Sequence, residues 1–286
     1  MKEFIGESSP EEADVIVFGV PLGSKADLAL ERLRKLNWFV ESFDIEHKKD
    51  LIKDLNIADI GNIKINKLED ITSKTKEIID SKKIPLILGG SHQLSLYVLK
   101  AFNENVKVIV FDAHGDMYNS FIDEKVAESI EGLNLNGEER FKNNCTTWLR
   151  RYSEIRNPKN IMIIGLRSCN EEDFKYIEDN DMIYFTPNQI KKDINSIKEK
   201  IKEFVKNSSV YISLDIDVFD PSIAPAVDHP EPNGISFYEF SELLKGIEDS
   251  KIVGMDLVEL KPIEGNEITE FLAVKSIFEI LRLIKP

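Results

Sequence analysis

Three short segments of the chain concentrate residues that bind metal ions. The segment DAHGD (112–116) has two carboxylates and an imidazole at alternate positions, SLDID (213–217) has two more carboxylates, and GGSH (89–92) adds a second imidazole. In an extended backbone, residues two and four positions apart point to one side, so each segment predicts a group of ligands on one face. The candidate metal ligands are His92, Asp112, His114, Asp116, Asp215 and Asp217.

The four carboxylates of this set would repel one another and shift one another's pKa values unless cations neutralised them. Two divalent ions would supply four positive charges against four negative ones. Two such ions, held ~3.5–4 Å apart, lower the pKa of a water between them to near neutral, and this water can then act as a nucleophile. Oxygen-dominated ligation with some imidazole favours Mn²⁺ and also permits Ni²⁺, Co²⁺ or Zn²⁺. The pattern therefore predicts a binuclear hydrolytic site.

Each of the three segments follows or ends an apolar run rich in valine and isoleucine, which is typical of strands buried in a parallel sheet. Such runs predict strands over 14–20, 84–90, 106–112, 161–166, 182–185, 210–216 and 251–257. Amphipathic stretches predict helices over 24–43, 68–82, 92–103, 171–179, 187–207, 236–248 and 267–284. The alternation predicts one α/β domain over residues 1–286, with ligands bound outside the carboxyl ends of the strands. The polar segment 113–150 is predicted to be a long active-site loop.

Composition argues against several classes of partner. The net charge is −14, from 51 acidic and 37 basic residues. Such a surface repels phosphate backbones and anionic lipids, so neither nucleic acid nor a membrane is an expected partner. The first residues lack the apolar segment of a signal peptide, and the chain's two cysteines are too few for a disulfide framework. We expect a cytoplasmic protein.

The three segments resemble the metal-binding signatures of the ureohydrolases, the arginase and agmatinase family, which read GGDH, DAHxD and SxDxDxxDP in the same order. MDLVELKP (255–262) is similar to the family's MDxVExNP segment, and APAVDHPEPNG (224–234) is similar to the APGTGTPEPGG loop of agmatinases. The resemblance runs from about residue 14 to the C-terminus. It implies a three-layer α/β/α, arginase/deacetylase-like fold with a mainly parallel eight-stranded sheet, assembled as a homo-oligomer, a trimer or hexamer.

Carried over by position, the resemblance implies two Mn²⁺ ions that share Asp112 and Asp215. One ion would also bind His92 and Asp116, and the other His114 and Asp217. Glu259 matches the family glutamate that pairs with the substrate guanidinium, a planar cation that a carboxylate fixes through two charge-assisted hydrogen bonds. The implied reaction splits a small cationic guanidino compound into urea and an amine, with Asp116 and Glu259 as catalytic residues. Agmatine is the favoured substrate; arginine, guanidinobutyrate, formiminoglutamate and aminopropylagmatine remain open.

The chain also departs from the family pattern. Ser91 replaces the GGDH aspartate, so the partner that orients His92 is expected to be altered. Residues 22–43 lack the usual GxRxGP-type segment. The agmatinase GTGT becomes AVDH (226–229), a bulkier, charged loop that implies a different substrate head group or tail. NCTTWLRR (144–151) aligns with SHGTxFRR and puts Cys145 at the proton-shuttling histidine.

These departures define a second set of candidates beside Glu259. Asn144, Asp228 and His229 are predicted to contact the substrate. Cys145 and His229 are predicted to be the alternative proton-transfer residues, since a placed acid must protonate the leaving amine. His47, in EHKKD, is predicted to be a solvated surface residue.

Other interpretations of the motifs remain. DAHGD echoes the D-x-H and G-D blocks of metallophosphoesterases, although those blocks lie at separate strand ends and no GNH segment follows. The pair Asp215 and Asp217 echoes phosphatases of the haloacid-dehalogenase type, but it lies on a late strand. A metal-binding family member without catalysis is motivated by Ser91 and Cys145. The retained ligands and Glu259 argue against it, because a scaffold does not need a costly cluster of like charges.

Overall fold

The computed structural model describes residues 3–6, 8–46, 48–130, 135 and 137–285; His47 lies outside them. The strands are Val15–Val20 (β1), Phe43–Asp44 (β2), Lys49–Asp50 (β3), Ile57–Asn62 (β4), Ile84–Gly89 (β5), Lys107–Phe111 (β6), Ile161–Ile164 (β7), Ile183–Phe185 (β8), Ser209–Asp215 (β9) and Lys251–Val258 (β10). Eight of them form one parallel sheet in the order β4-β1-β5-β10-β9-β6-β7-β8. The expected eight-stranded sheet is confirmed. The short β2 and β3 pair separately as an antiparallel ladder.

Helices connect the strands. They are Ala26–Leu36 (α1), Leu51–Asp54 (α2), Glu69–Asp80 (α3), Leu94–Leu99 (α4), Glu124–Ser129 (α5), Gly137–Lys142 (α6), Trp148–Ile155 (α7), Glu171–Asp179 (α8), Pro187–Lys192 (α9), Ile194–Val205 (α10), Phe237–Leu244 (α11) and Ile268–Leu281 (α12). Among the described residues, none of the helices combines the length and the apolar character needed to cross a membrane.

Side chains alternate between the two faces of the sheet and build two cores. Val15 and Val17 of β1 belong to the core on one face. Ile16 and Phe18, at the intervening positions, belong to the core on the other face. Helices α1 and α9 to α12 cover the first face, and α3, α4, α7 and α8 cover the second. The result is the predicted three-layer arrangement. Because the strands are buried on both faces, they appear in the sequence as continuous apolar runs.

Strand β4 and the helices within 113–150 were not predicted. The strand β4 lies at the edge of the sheet, and its Asp59 forms an ion pair with Arg34, with 2.6 Å between Oδ2 and Nε. A polar residue of this kind interrupts the apolar run by which a buried strand is recognised. The predicted loop contains α5, α6 and the start of α7. Its polar composition concealed them, although Asp123 caps α5 by accepting a hydrogen bond from the backbone N–H of Val126.

The predicted helix over 187–207 is two helices. Asp193 ends α9 with φ −156° and ψ 79°, and its side chain accepts a hydrogen bond from the N–H of Ser196 to begin α10. An aspartate that competes for backbone hydrogen bonds is favoured at a cap over a helix interior. The helix α8 has its predicted bounds, and α1, α3, α4, α11 and α12 lie where helices were predicted but are shorter at their ends, whereas the short α2 was not predicted.

The glycine pair after β5 permits a close approach between connections. A side chain at Gly90 would lie 2.1 Å from the carbonyl oxygen of Leu22. The N–H of Ser91 donates to that carbonyl at 2.8 Å, and the carbonyl of Gly90 accepts from the N–H of Glu259 at 2.7 Å. The carboxyl ends of β5 and β10 are thereby tied together just below the predicted site.

Candidate metal centre

The predicted ligands follow strands that are neighbours in the middle of the sheet. In the order β5-β10-β9-β6, these strands are followed or ended by His92, Glu259, Asp215 and Asp112 respectively. The extended backbone assumed for the motifs does not persist: Ile216–Val218 form a 3₁₀ turn, and Asp116 has φ 49°. The side chains converge for a different reason, which is hydrogen bonding between carboxylates and backbone.

Three of the carboxylates have one oxygen fixed by the backbone. Oδ1 of Asp112 accepts from the N–H of His114 at 2.6 Å, and Oδ1 of Asp215 accepts from the N–H of Asp217 at 2.9 Å. Oδ1 of Asp217 accepts from the N–H of Ala113 at 3.1 Å. These bonds set the orientation of each carboxylate and leave its second oxygen to face the centre of the cluster.

The Oδ2 atoms of Asp112, Asp215 and Asp116 surround His92. The Nδ1 atom of His92 lies 3.1 Å from Oδ2 of Asp112, 3.1 Å from Oδ2 of Asp215 and 3.3 Å from Oδ2 of Asp116. Nδ1 of His92 and Oδ2 of Asp112 are buried without a hydrogen-bond partner among the described residues. Donors at right angles around an ion with bonds of about 2.2 Å lie about 3.1 Å apart, so this spacing fits a divalent cation.

A second group of ligands shares Asp112. Nδ1 of His114 lies 2.9 Å from Oδ2 of Asp217 and 3.7 Å from Oδ1 of Asp112. The donor atoms of Asp112, His114 and Asp217 lie within 4.8 Å of one another, as do those of His92, Asp112 and Asp215. The six predicted ligands thus come together, with Asp112 in both groups. Asp116 borders the first of them.

The cluster on its own requires positive charge. Burial lowers the pKa of His92, but three neighbouring carboxylates raise it well above its usual range. Burial also lowers the pKa of His114, yet its two carboxylate neighbours raise it to about 12. Burial raises the pKa of Asp215 well above its usual range and that of Asp116 to about 6. Protons held by the histidines and carboxylates neutralise the crowded negative charge of the cluster. Two divalent ions fit as the replacement for these protons.

A polar network beneath the cluster orients His92. Its Nε2 atom lies 3.0 Å from the hydroxyl of Ser213, which donates to Asp256 at 2.7 Å. Asp256 is buried and also accepts from Tyr211 at 2.6 Å. The hydroxyl of Ser91 is buried and makes no hydrogen bond with the described residues. The ring of His92 is therefore oriented through Ser213 and Asp256, with no hydrogen bond from Ser91 among the described residues.

Trp148 packs on the open side of the same ring. Its indole lies 4.4 Å from the imidazole of His92 between centroids, and its Nε1–H donates to Oδ2 of Asp116 at 2.6 Å. Trp148 is fully buried at the start of α7. Helix α7, whose start was not predicted from the sequence, therefore holds the candidate ligands His92 and Asp116 in place through Trp148.

Glu259 stands beside the cluster in a strained backbone conformation. Its φ is 62°, in the left-handed region that residues other than glycine rarely adopt, and such strain is found mainly at functional sites. One of its oxygens accepts from the N–H of His92 at 2.7 Å. Burial raises the pKa of Glu259 to about 7, although the nearby Lys261 lowers it. The carboxylate is available to a cation that enters the site.

A cavity of about 410 Å³ opens above the cluster. We call the lining residues His92, His114, Asp116, Asp215, Asp217 and Glu259 the cavity floor. The remaining lining residues, which come from α5, α8 and the segments 115, 118–123, 145–146, 168–170 and 228–231, form the cavity wall. The wall is made largely of loops, whereas the floor follows the central strands.

Some of the departures from the family pattern lie in the cavity wall. His229 is exposed, and its ring lies 6.1 Å from that of His114 between centroids. Although much of its surface is exposed, the part of His229 that faces the wall is desolvated, and this partial burial together with the charges of Lys125 and His114 lowers its pKa. Cys145 also lines the cavity. The two candidate proton-transfer residues therefore share the space above the floor.

Asp228 and Asn144 are held by other residues of the chain. Nζ of the buried Lys261 lies 3.2 Å from Oδ2 of Asp228 and donates to the carbonyl of Ser24 at 3.2 Å. Asp228 lines the cavity, but its charge is already paired. Asn144 is buried outside the cavity lining, and its amide donates to the carbonyls of Phe121 and Arg140. Asn144 shapes the loop and is not among the residues that line the cavity.

Several contributing residues were not found from the sequence. Asp256 lies within MDLVELKP, so that motif signalled it, but only the structure shows it under His92. Trp148 and Lys261 lie within recognised segments, NCTTWLRR and MDLVELKP, but their side chains are not metal-ligand types and were not singled out. Asp173, on α8, lines the cavity although no motif contains it.

Comparison with known proteins gives a consistent picture. The model of the arginase family matches residues 13–282. The chain is 30% identical to the N(1)-aminopropylagmatine ureohydrolase of Thermococcus kodakarensis over 94% of this chain and 90% of that protein. It is 28% identical to the agmatinase of Bacillus subtilis over 95% of this chain and 92% of that protein. The crystal structure of agmatine ureohydrolase of Thermoplasma volcanium superposes with a TM-score of 0.84 at 27% identity, covering 99% of this chain and 94% of that one. The chain is an enzyme of the arginase family, as its three metal-binding motifs predicted.

Proposed function

We propose that this chain is a single ureohydrolase domain that hydrolyses a guanidino compound to urea and an amine. The observation that carries the proposal is the pair of ligand groups joined by Asp112 at the floor of an open cavity, with Glu259 beside them. The first group leaves two buried donor atoms without partners, Nδ1 of His92 and Oδ2 of Asp112. This arrangement fits a binuclear centre, and the arginase family is binuclear-metal dependent.

His92, Asp112, Asp116 and Asp215 would hold one ion, and Asp112, His114, Asp215 and Asp217 the other. When bound, the two ions lower the pKa of a water and stabilise negative charge that develops at the reacting carbon. The mixed oxygen and imidazole donor set favours Mn²⁺ and is also compatible with Ni²⁺, Co²⁺ or Zn²⁺.

Glu259 would bind and orient the guanidinium. Its carboxylate faces the cavity beside the cluster, and the N–H of His92 holds one of its oxygens at 2.7 Å. A planar cation on a carboxylate is fixed in orientation as well as position. By holding the guanidinium close to the metal ligands, Glu259 would lower the entropic part of the activation barrier for hydrolysis.

Two proton transfers are needed. Asp116, whose Oδ2 lies 3.3 Å from Nδ1 of His92 at the border of the cluster, would accept a proton there. His229, whose pKa is lowered, is a neutral base that would take up a proton and deliver it to the leaving amine. Cys145 is the alternative donor, and a thiol serves this purpose only where nearby cations stabilise its thiolate.

Agmatine is the substrate we favour. The agmatinase relatives and the PEP-containing loop at 230–232 support it, and the acidic lining of the cavity suits a cationic compound. N(1)-aminopropylagmatine, the substrate named for one relative, is the second candidate. A part in polyamine biosynthesis, a cytoplasmic location and assembly as a trimer or hexamer complete the proposal, and they rest on sequence resemblance and composition.

The test is release of urea from a panel of guanidino compounds. The purified chain would be loaded with Mn²⁺ or Ni²⁺ and incubated with agmatine, aminopropylagmatine, arginine, guanidinobutyrate and formiminoglutamate. We expect urea from agmatine with the highest kcat/KM. Release of phosphate from a generic ester, with no urea from any compound, would contradict the proposal.

A further inference from the structure

Two departures from the family pattern contact each other next to Glu259. Asp228, in AVDH (226–229), stands at the second glycine of the agmatinase GTGT. Lys261, in MDLVELKP, stands at the asparagine of the family's MDxVExNP segment. Nζ of Lys261 lies 3.2 Å from Oδ2 of Asp228. The chain thus has one additional charge of each sign, and the two charges are in contact.

The two members of this pair differ in burial. The side chain of Lys261 is 3% exposed, whereas that of Asp228 is 33% exposed and lines the cavity. A buried ammonium without partners is costly, so Lys261 depends on Asp228 and on the carbonyl of Ser24, which accepts its hydrogen bond at 3.2 Å. Lys261 contacts one oxygen of Asp228, and a carboxylate can accept about four hydrogen bonds. Asp228 therefore keeps acceptor capacity for a ligand in the cavity.

Backbone contacts hold the loop of Asp228 beside Glu259. Lys261 follows Glu259 by two residues, and its N–H donates to the carbonyl of Ala226 at 2.8 Å. The N–H of Ala226 donates in turn to the hydroxyl of Thr269 at 3.0 Å. The segment that carries Asp228 therefore lies directly beside the segment that carries Glu259.

The three charges act on one another. Burial lowers the pKa of Lys261, but the charges of Glu259 and Asp228 raise it above its ordinary value. When all three groups are ionised, the two carboxylates and the ammonium leave one negative charge, which a single guanidinium neutralises. The glycine and asparagine of the family pattern leave the same charge on the glutamate alone. The pair therefore adds an acceptor at the cavity without changing the total charge.

A further acceptor matters because head groups differ in their donors. An alkyl guanidinium has five N–H donors, and the formamidinium of a formimino compound has two fewer because hydrogen replaces one amino group. Glu259 would accept two of these hydrogen bonds as a planar pair. Asp228 would accept from the amino group that a formamidinium lacks. A site with such an acceptor rejects the analogue, since its buried polar group is left unpaired.

We infer that Lys261 and Asp228 act as a coupled pair, in which Lys261 holds Asp228 beside Glu259 as a further acceptor for the guanidinium. The pair selects guanidino over formimino head groups. This inference rests on the proposed function and assigns the residues that distinguish one head group from another. Asp228 contacts the substrate and determines specificity, whereas Lys261 acts through Asp228 and is a positioning residue.

The kinetic test compares two head groups on the same tail. Agmatine and N-(4-aminobutyl)formamidine both release butane-1,4-diamine, with urea from the first and formamide from the second, so one assay measures both. Asp228→Asn should lower kcat/KM for agmatine about 10-fold, the scale for weakening a hydrogen bond to a charged group, and change the value for the formamidine little. Lys261→Met should lower the same ratio through the KM for agmatine. An unchanged ratio in Asp228→Asn would overturn the inference.

The matched control is Glu231→Gln. It removes the same charge from the cavity wall, but Glu231 lies on the side of His114, with 4.0 Å between its Oε1 and Nε2 of that residue. Any loss of general attraction affects both cations alike, so the ratio of the two kcat/KM values should match that of the wild type. A fall equal to that in Asp228→Asn would contradict a specific role for Asp228.

The coupling can be tested without activity. Asp228→Gly leaves the buried ammonium of Lys261 without its carboxylate, whereas Asp228→Gly combined with Lys261→Asn removes both charges and introduces the residues of the family pattern. The double variant should melt at a higher temperature than the single variant, because a buried charge without its partner is more destabilising than no charge. An equal or lower melting temperature would show that the two residues are not coupled.

A binding measurement separates this inference from the proposed function. Calorimetry would follow agmatine and N-(4-aminobutyl)formamidine binding to the Mn²⁺-loaded wild type and to Asp228→Asn. If neither compound is hydrolysed, but the wild type binds agmatine more tightly and the variant binds both alike, the proposed function fails and the role of the pair stands. If guanidino compounds are hydrolysed with the same ratio in both proteins, the role of the pair fails and the proposed function stands. If neither hydrolysis nor preferential binding is seen, both are contradicted.

Discussion

The floor and the wall of the cavity are built in different ways. The floor residues follow strands β5, β6, β9 and β10, and backbone N–H groups fix the carboxylates of Asp112, Asp215 and Asp217. The wall is carried by short helices and loops, and contacts between side chains hold parts of it, as Lys261 holds Asp228 and Ser168 holds Glu231. A buried parallel sheet restricts the first set far more than loops restrict the second.

The difference separates the chemistry from the choice of substrate. Motifs at the floor match the family closely, and where Ser91 departs from the GGDH pattern, His92 is held by its contact with Ser213. The wall contains Cys145 and His229 in place of the agmatinase residues. We therefore expect substitutions at the floor to abolish hydrolysis and substitutions in the wall to change substrate use.

The largest effect is expected at the ligand that both groups share. Asp112→Asn should lower kcat by at least ~10³-fold, since metal ions supply several kcal/mol of stabilisation to such reactions. Metal content, measured by inductively coupled plasma mass spectrometry, should fall below two ions per chain. Asp80→Asn, an exposed change of the same kind on α3, is the control. Two retained ions with full activity would show that Asp112 is not a bridge.

Glu259 tests the part of the floor that faces the substrate. Glu259→Gln should lower kcat/KM, with a loss of transition-state stabilisation of about 2–4 kcal/mol, because a charge partner of the guanidinium is lost in a buried site. Its metal content should match that of the wild type, unlike Asp112→Asn. Glu264→Gln, an exposed change nearby, should have no effect. Turnover near the wild-type value would exclude Glu259 from guanidinium binding.

The proton-transfer residues lie at the border between floor and wall. His229→Ala should lower kcat by ~10²-fold, the lower end of the range for a placed acid or base, while Cys145→Ala should change it little. The reverse order would assign the transfer to Cys145. Full kcat in both variants would mean that the proton comes from water or by way of Asp116, and that the wall has no part in the transfer.

The smallest effect is expected at the ion pair that anchors the wall. Lys261→Met should raise KM for the best substrate about 10-fold, which is equivalent to about 1.4 kcal/mol of binding free energy. The kcat should stay within a few-fold of the wild-type value. Asp228 would lose its partner, and the loop that carries it would be less well ordered. Lys175→Met, on the exposed side of α8, is the control. A loss confined to kcat would place Lys261 with the floor instead.

The same division explains what could be predicted from the sequence. Strands β5, β6, β9 and β10 are continuous apolar runs that end in motifs, so both their place and the convergence of His92, Asp112 and Asp215 were predictable. The edge strand β4 was not predictable, because Asp59 interrupts its apolar run. The fold uses this residue to form an ion pair with Arg34. Contacts set by tertiary packing, such as that between His92 and Ser213, leave no periodic signal. Asp173 was missed for the same reason, since only the fold places it in the lining of the cavity.

Trp148 gives the chain an optical signal for the state of its own site. The chain has two tryptophans: Trp148 is fully buried against His92, whereas Trp38 is 47% exposed. A protonated imidazole quenches a neighbouring indole, and a metal ion that binds His92 must displace its proton. Titration with Mn²⁺ or Zn²⁺ in a Trp38→Phe background would then change a single emission band, so occupancy of the first ion could be followed by fluorescence without any substrate.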